Sequence, residues 1–152
     1  MSYEELLLEA DASGLIVKEK PLLASDGRIK GHKIAIRQDI PTLRKKADVL
    51  AEELGHYYTS VGRIVEQDDA RARKQERTAR LWAYDKQIGL TGIIKGYRRR
   101  CRNLYELAEC LDVDEETLKD ALECYKEKYG CFVKVDKYVI LFEPTLTVIE
   151  KI

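Results

Sequence analysis

Apolar residues along this chain recur first at helical spacing, then alternate, then return to helical spacing for most of the remaining length. Ser2 can cap a helix whose Leu6, Leu7 and Ala10 share one side, with Gly14 as its stop. The period then shortens. Leu15-Ile16-Val17 is a strand candidate, Ser25-Asp26-Gly27 a turn, and residues 29–37 alternate so that Ile34 and Ile36 face one way. Together these predict a small antiparallel sheet. Pro41 suits a first helical turn, and Leu43, Ala47, Leu50 and Leu54 then repeat every three or four positions, predicting a helix over residues 43–58. After a loop through Gly62, residues 71–87 read as a helix that groups Glu76, Ala79, Trp82 and Ala83 toward one broad face, and residues 91–102 as a strongly basic helix. Residues 104–129 read as helix, turn at Asp112-Val113-Asp114 and helix, closed by Gly130. Residues 131–142 alternate around Asp136-Lys137 as a β-hairpin, without the Asn-Gly signal of the tightest turns. The class expected is α+β, mainly helical, without repeats.

Composition narrows the function classes. A chain of 152 residues is of single-domain size. An apolar fraction of 45% beside a charged fraction of 36% excludes disorder by composition, and a formal net charge of zero removes any global pull toward nucleic acid or acidic lipid. Electrostatic function must therefore be local. The apolar run from Tyr138 to Phe142 is far below the ~20 residues of a membrane span, and the first residues lack a charged-then-apolar signal, so a cytoplasmic protein is expected. Cys101, Cys110, Cys124 and Cys131 show no two-residue spacing of a zinc knuckle or redox motif. They read as free buried thiols. Adjacent helices could bring Cys110 and Cys124 together, but a cytosolic setting argues against a disulfide.

The candidate chemistry lies in Glu52-Glu53-Leu54-Gly55-His56 on the helix over residues 43–58. A zinc-peptidase helix carries His-Glu-x-x-His: two histidines four apart hold Zn²⁺ and the glutamate between them activates water. Here Glu52 stands in the first histidine's place. Residues i and i+4 lie one above the other on a helix, and a carboxylate is an acceptable zinc ligand. A catalytic zinc usually takes three protein ligands, so a third is needed. Glu76, on the next predicted helix, is the best candidate, with Ala79 one turn on permitting close packing. The metal set is then Glu52, His56 and Glu76, with Glu53 as general base for peptide hydrolysis. Two carboxylate ligands offset the formal charge of Zn²⁺ and raise the standing of Mn²⁺ or another divalent ion. On these residues alone, a solvated charged helix face is the plainer reading. His32 reads as an ordinary strand histidine. Tyr57 and Tyr58 read as helix-end packing, with an oxyanion donor as the sharper alternative.

The strings from Leu50 to Thr59 and from Lys74 to Tyr84 resemble the ImmA/IrrE family of metallo-endopeptidases. The similarity extends over residues 104–129 and 138–144, and so over most of the chain. What the resemblance implies is a zincin-like core over residues 1–94, a helical extension over 95–130, and a β-hairpin with a tail over 131–152. It also implies an activity: cleavage of the helix-turn-helix repressor that silences a phage or mobile element. By position, His56 matches the second motif histidine, Glu53 the catalytic glutamate and Glu76 the downstream ligand. Glu52 departs from the family pattern. A non-catalytic protein that binds and sequesters the repressor is the alternative on the same fold.

Residues 104–118 have the spacing of a helix-turn-helix, which makes DNA binding the third reading. Charge argues against it. The second helix begins Asp114-Glu115-Glu116 and continues through Asp120 and Glu123, which would set carboxylates against phosphates. Val113 and Leu118 read as core residues instead. The basic run Lys95, Arg98, Arg99, Arg100 and Arg102, with Arg71, Arg73, Lys74, Arg77 and Arg80 upstream, reads as solvated helix surface, as backbone contacts to nucleic acid, or as a strip that docks an acidic face of a protein substrate.

Overall fold

Ser2 opens the first helix as its position predicts: its side chain accepts the Glu5 N–H at 3.1 Å, and α1 runs Tyr3–Ala12. The computed structural model describes residues 1–60 and 69–152, so the expected loop at Gly62 lies outside the described residues. Within them the fold is mixed α+β, with six helices and two three-stranded sheets. It divides into two compact units, Met1–Lys86 and Gln87–Ile152.

In the first unit, β1 (Ile16–Lys20), β2 (Gly27–Lys30) and β3 (Lys33–Arg37) form a sheet in the order β1-β3-β2. The sheet is mixed rather than antiparallel. β3 pairs antiparallel with β2 but parallel with β1, in the register Val17 to Ile34 and Glu19 to Ile36. The reason is burial: β3 carries Ile34 and Ile36, both almost wholly buried, and so takes the central place with a partner on each side. The single alternating strand expected over residues 29–37 is two strands. Gly31, at φ 61°, and His32 turn the chain between Lys30 and Lys33, which sets Ile29 opposite Ile34.

The helix over the site residues is α2, Leu43–Thr59. Thr42 caps it by accepting the Lys45 N–H at 3.1 Å, so Pro41 precedes the cap instead of filling the first turn. Its buried face, Ala47, Leu50, Ala51, Leu54 and Gly55, packs with α1 and the inner face of the sheet in a core that also holds Leu6, Ala10, Ile34, Ile36 and Ile40. Side chains of this size gain about 25 cal/mol per Å² of apolar surface withdrawn from water, which holds α2 on the sheet despite its charged outer face. Next in the chain comes α3, Asp69–Gln87, with Ala79 and Ala83 buried and most of its basic side chains exposed.

The second unit contains α4 (Gly89–Arg98), α5 (Leu104–Leu111), α6 (Glu115–Tyr129) and an antiparallel sheet β4-β5-β6. α4 ends four residues earlier than the expected 102, where Arg100 takes a left-handed φ of 60°. Asp112 at φ 55° turns the chain between α5 and α6, and Gly130 at φ 80° ends α6 as expected. The hairpin β4 (Phe132–Val135) and β5 (Tyr138–Leu141) forms where the alternation placed it. The residues read as a tail supply a third strand, β6 (Thr147–Glu150), whose Val148 and Ile149 pair with Ile140 and Val139. Val113 and Leu118 are buried with Leu107, Leu111, Ala121 and Ile140, as core residues. No described helix is long and apolar enough to cross a membrane.

Candidate metal centre

Glu52 and His56 lie four residues apart on α2, and both are half-buried. The third group comes from α3, because the two helices meet almost backbone to backbone at Gly55 and Ala79. A Cβ placed on Gly55 would lie 3.0 Å from the Ala79 carbonyl carbon and 3.2 Å from its Cα, with the carbonyl oxygen closer still. Glycine is the only residue that permits this approach. Beyond the crossing, Tyr58 stacks on Trp82 with ring centroids 5.2 Å apart, and Lys86 Nζ reaches Glu9 Oε1 on α1 at 2.5 Å. These contacts hold α3 against α2 with Glu76 facing the motif.

The result is a three-donor cluster. Glu52, His56 and Glu76 each offer one ligand atom within 4.8 Å of the other two, which the sequence reading expected of these three residues. His56 Nε2 and Glu76 Oε1 stand 3.4 Å apart. Zinc bonds of about 2.0–2.1 Å at a tetrahedral angle require neighbouring donors about 3.3 Å apart, so this pair already has the spacing of two ligands on one ion. Glu52 completes the set within 4.8 Å. One imidazole and two carboxylates suit Zn²⁺ and Mn²⁺, which prefer borderline and oxygen donors, and not the softer ions that thiolates select. Glu76 is about half exposed, at 53% of its side chain, which leaves that side of the cluster open to solvent.

Glu53 sits inside this arrangement without joining it. Burial pushes its carboxyl up to about 7, the charge of His56 opposes that rise, and Glu52 and Glu76 add to it. All three donors therefore act on Glu53 electrostatically. β2 covers its other side: a Cβ on Gly27 would stand 2.9 Å from Glu53 Oε1 and 2.7 Å from Val49 Cγ1. Gly27 thus makes the space in which the carboxylate sits.

The remaining candidates fall elsewhere. His32 is exposed on the turn between β2 and β3, with Nδ1 3.4 Å from the Tyr57 hydroxyl, and lies outside the donor set. Tyr58 packs on Trp82 and pairs its hydroxyl with Ser13, which is the helix-end role expected of it. Two residues that shape the site, Gly27 and Gly55, escaped the sequence reading. Gly27 looked like a turn residue. A glycine inside a helix costs about 1 kcal/mol against alanine, and that cost at Gly55 was the available signal of a close approach.

In the second unit the acidic face of α6 is exposed at Glu116, Asp120, Glu123 and Glu127, where a recognition helix would need cations. Arg98 is committed locally, its Nε donating to the Tyr138 hydroxyl at 2.7 Å and its guanidinium over that ring. Arg102 pairs with Glu106 at 3.1 Å. The sequence matches no protein-family model and no curated protein.

Proposed function

We propose that this protein is a divalent-metal-dependent endopeptidase of ImmA/IrrE type, with a zincin-like core, acting on a helix-turn-helix repressor in the cytoplasm. One observation carries the catalytic part of this reading: Glu52, His56 and Glu76 converge within 4.8 Å while Glu53 lies beside them uncommitted to the cluster. Zn²⁺, or Mn²⁺ in its place, would be held by these three side chains. When bound it would supply a Lewis acid for the scissile carbonyl and a water acidified toward neutrality.

The protein's own part is proton handling and orientation. Glu53, in its half-buried niche between α2 and Gly27, is positioned to accept a proton from the attacking water and return it to the leaving amine. A carboxyl raised by burial holds a transferred proton well, and a bound cation would draw its pKa back down. β2 is one of the two outer strands of its sheet and packs on α2 beside Glu53. An extended peptide pairing with that outer edge would therefore pass the general base. The exposed basic residues of α3, which include Arg73, Lys74, Arg77 and Arg80, offer a surface for an acidic protein substrate.

A second reading, a binding protein that sequesters the repressor without cutting it, draws on the donor set itself, since two carboxylates weaken the acidity a metal would confer. The two are separated by incubating the purified protein and its Glu53→Gln variant with the repressor, with and without added zinc. Cleavage by the parent, abolished in Glu53→Gln and by chelator, is the expected result. Cleavage that survives the substitution would refute Glu53 as the base, and a chelator-insensitive stoichiometric complex with an intact repressor would establish the second reading.

A further inference from the structure

All four cysteines lie in the Gln87–Ile152 unit, whereas Glu52, His56 and Glu76 belong to the Met1–Lys86 unit. Cys101 sits in the connector between α4 and α5, held by its N–H to Gly96 O at 3.0 Å. Its Sγ donates to the backbone carbonyl of Glu106 at 3.7 Å. In an α-helix that carbonyl is the acceptor of the N–H four residues on, which here belongs to Cys110. Helical side chains lean back over the preceding turn, so the Cys110 thiol is directed toward the same carbonyl. Burial first, and then the neighbouring Cys110, push the Cys101 thiol above its ordinary range. Cys131 is exposed and placed elsewhere, 3.5 Å from Glu143 Oε2.

We infer that Cys101 and Cys110 form an oxidisable dithiol, closed to a reversible disulfide by low-molecular-weight disulfides such as glutathione disulfide. A thiolate of the pair attacks one sulfur of the small disulfide and releases one glutathione, leaving a mixed disulfide on the protein. The neighbouring thiol, after losing its proton, attacks the protein-bound sulfur and expels the second glutathione. Two electrons and two protons pass from the protein to the oxidant, and one sulfur–sulfur bond is exchanged for another. Closing the bridge brings the two sulfurs to about 2.05 Å. Cys101, Arg102 and Asn103 line a cavity of about 670 Å³ together with Ile93, Leu107 and Phe142. The bridge would tie this cavity-lining connector to α5.

The test uses the full chain with excess glutathione disulfide at pH 8, read by intact mass and by peptide mapping under non-reducing conditions. Formation of a Cys101–Cys110 linked peptide, a loss of about 2 Da for that bridge and reversal by dithiothreitol are expected. In Cys101→Ser the glutathione adduct on Cys110 should persist because no second thiol resolves it. The Cys124→Ser/Cys131→Ser variant retains only the pair and should still form the bridge. Glutathione adducts on Cys131 alone, a bridge involving Cys124, or unresolved adducts on both Cys101 and Cys110 would overturn the inference.

Discussion

Gly55→Ala tests the packing on which the proposed metal centre depends. The added methyl would stand 3.0 Å from the Ala79 carbonyl carbon and closer to its oxygen, and both atoms belong to a helical backbone that cannot rotate away. A carbon normally keeps about 3.3–3.6 Å from a carbonyl oxygen, so α2 and α3 must separate by about 1 Å. Overpacking of this kind costs about 1–3 kcal/mol, and the better helix propensity of alanine returns about 1 kcal/mol. The net loss expected is about 1 kcal/mol, too little to unfold the protein. The effect on metal should be larger in proportion. Opening the 3.4 Å gap between His56 Nε2 and Glu76 Oε1 by a similar amount takes the pair beyond the ~3.3 Å that one tetrahedral ion can bridge. Perturbing even the groups around a metal's ligands weakens binding about 10–100-fold, so a loss of at least ~10-fold in zinc affinity is expected. Urea unfolding in the presence of chelator gives the first quantity, and competition with a chromophoric chelator gives the second. A variant that is as stable as the parent and binds zinc equally well would refute the close crossing and, with it, the delivery of Glu76 to the site.

Four further outcomes are expected. The metal-free protein should lose stability as pH rises from about 4.5 to 7, because Glu53 is raised to about 7 when folded and the folded state therefore holds the proton more tightly than the unfolded one. At about 1.4 kcal/mol per pKa unit the full effect is roughly 3 kcal/mol, reduced by the niche's partial exposure. Glu53→Gln should abolish that slope and be the more stable protein at pH 8 in urea melts, whereas an unchanged slope would assign it to other groups. Gly27→Ala, whose methyl would stand 2.9 Å from Glu53 Oε1, should lower peptidase activity at least ~10-fold while leaving zinc affinity within ~3-fold, measured by cleavage and by chelator competition. Leu118→Ala should cost about 2–5 kcal/mol in denaturant because Leu118 is wholly buried. Arg99→Gln/Arg100→Gln should leave fluorescence-anisotropy titrations with duplex DNA unchanged; a marked loss would restore nucleic acid as a partner.

Local order was legible because it depends on neighbours in the chain. The caps at Ser2 and Gly130, the helix through Glu52 and His56, the break at Asp112 and the hairpin around Asp136-Lys137 all follow from side-chain period and backbone preference. The same period placed Glu52 and His56 on one face, and residue type nominated Glu76. Distance across the fold was not legible. That β1 lies parallel to β3 depends on which strand the core buries most deeply, and alternation reads the same for parallel and antiparallel partners. The third strand β6 forms because β5 offers a free edge, which no property of residues 147–150 alone announces. The proximity of Glu76 to His56 was decided by Gly55 against Ala79, where one missing methyl lets two backbones touch. The elevation of Glu53 came from Gly27 closing over it and from the carboxylates gathered around it. Residue types and their spacing thus nominated the groups proposed to bind a metal and transfer a proton. Tertiary structure alone brought those groups within reach of one another, because donor convergence and desolvation are properties of packed neighbours.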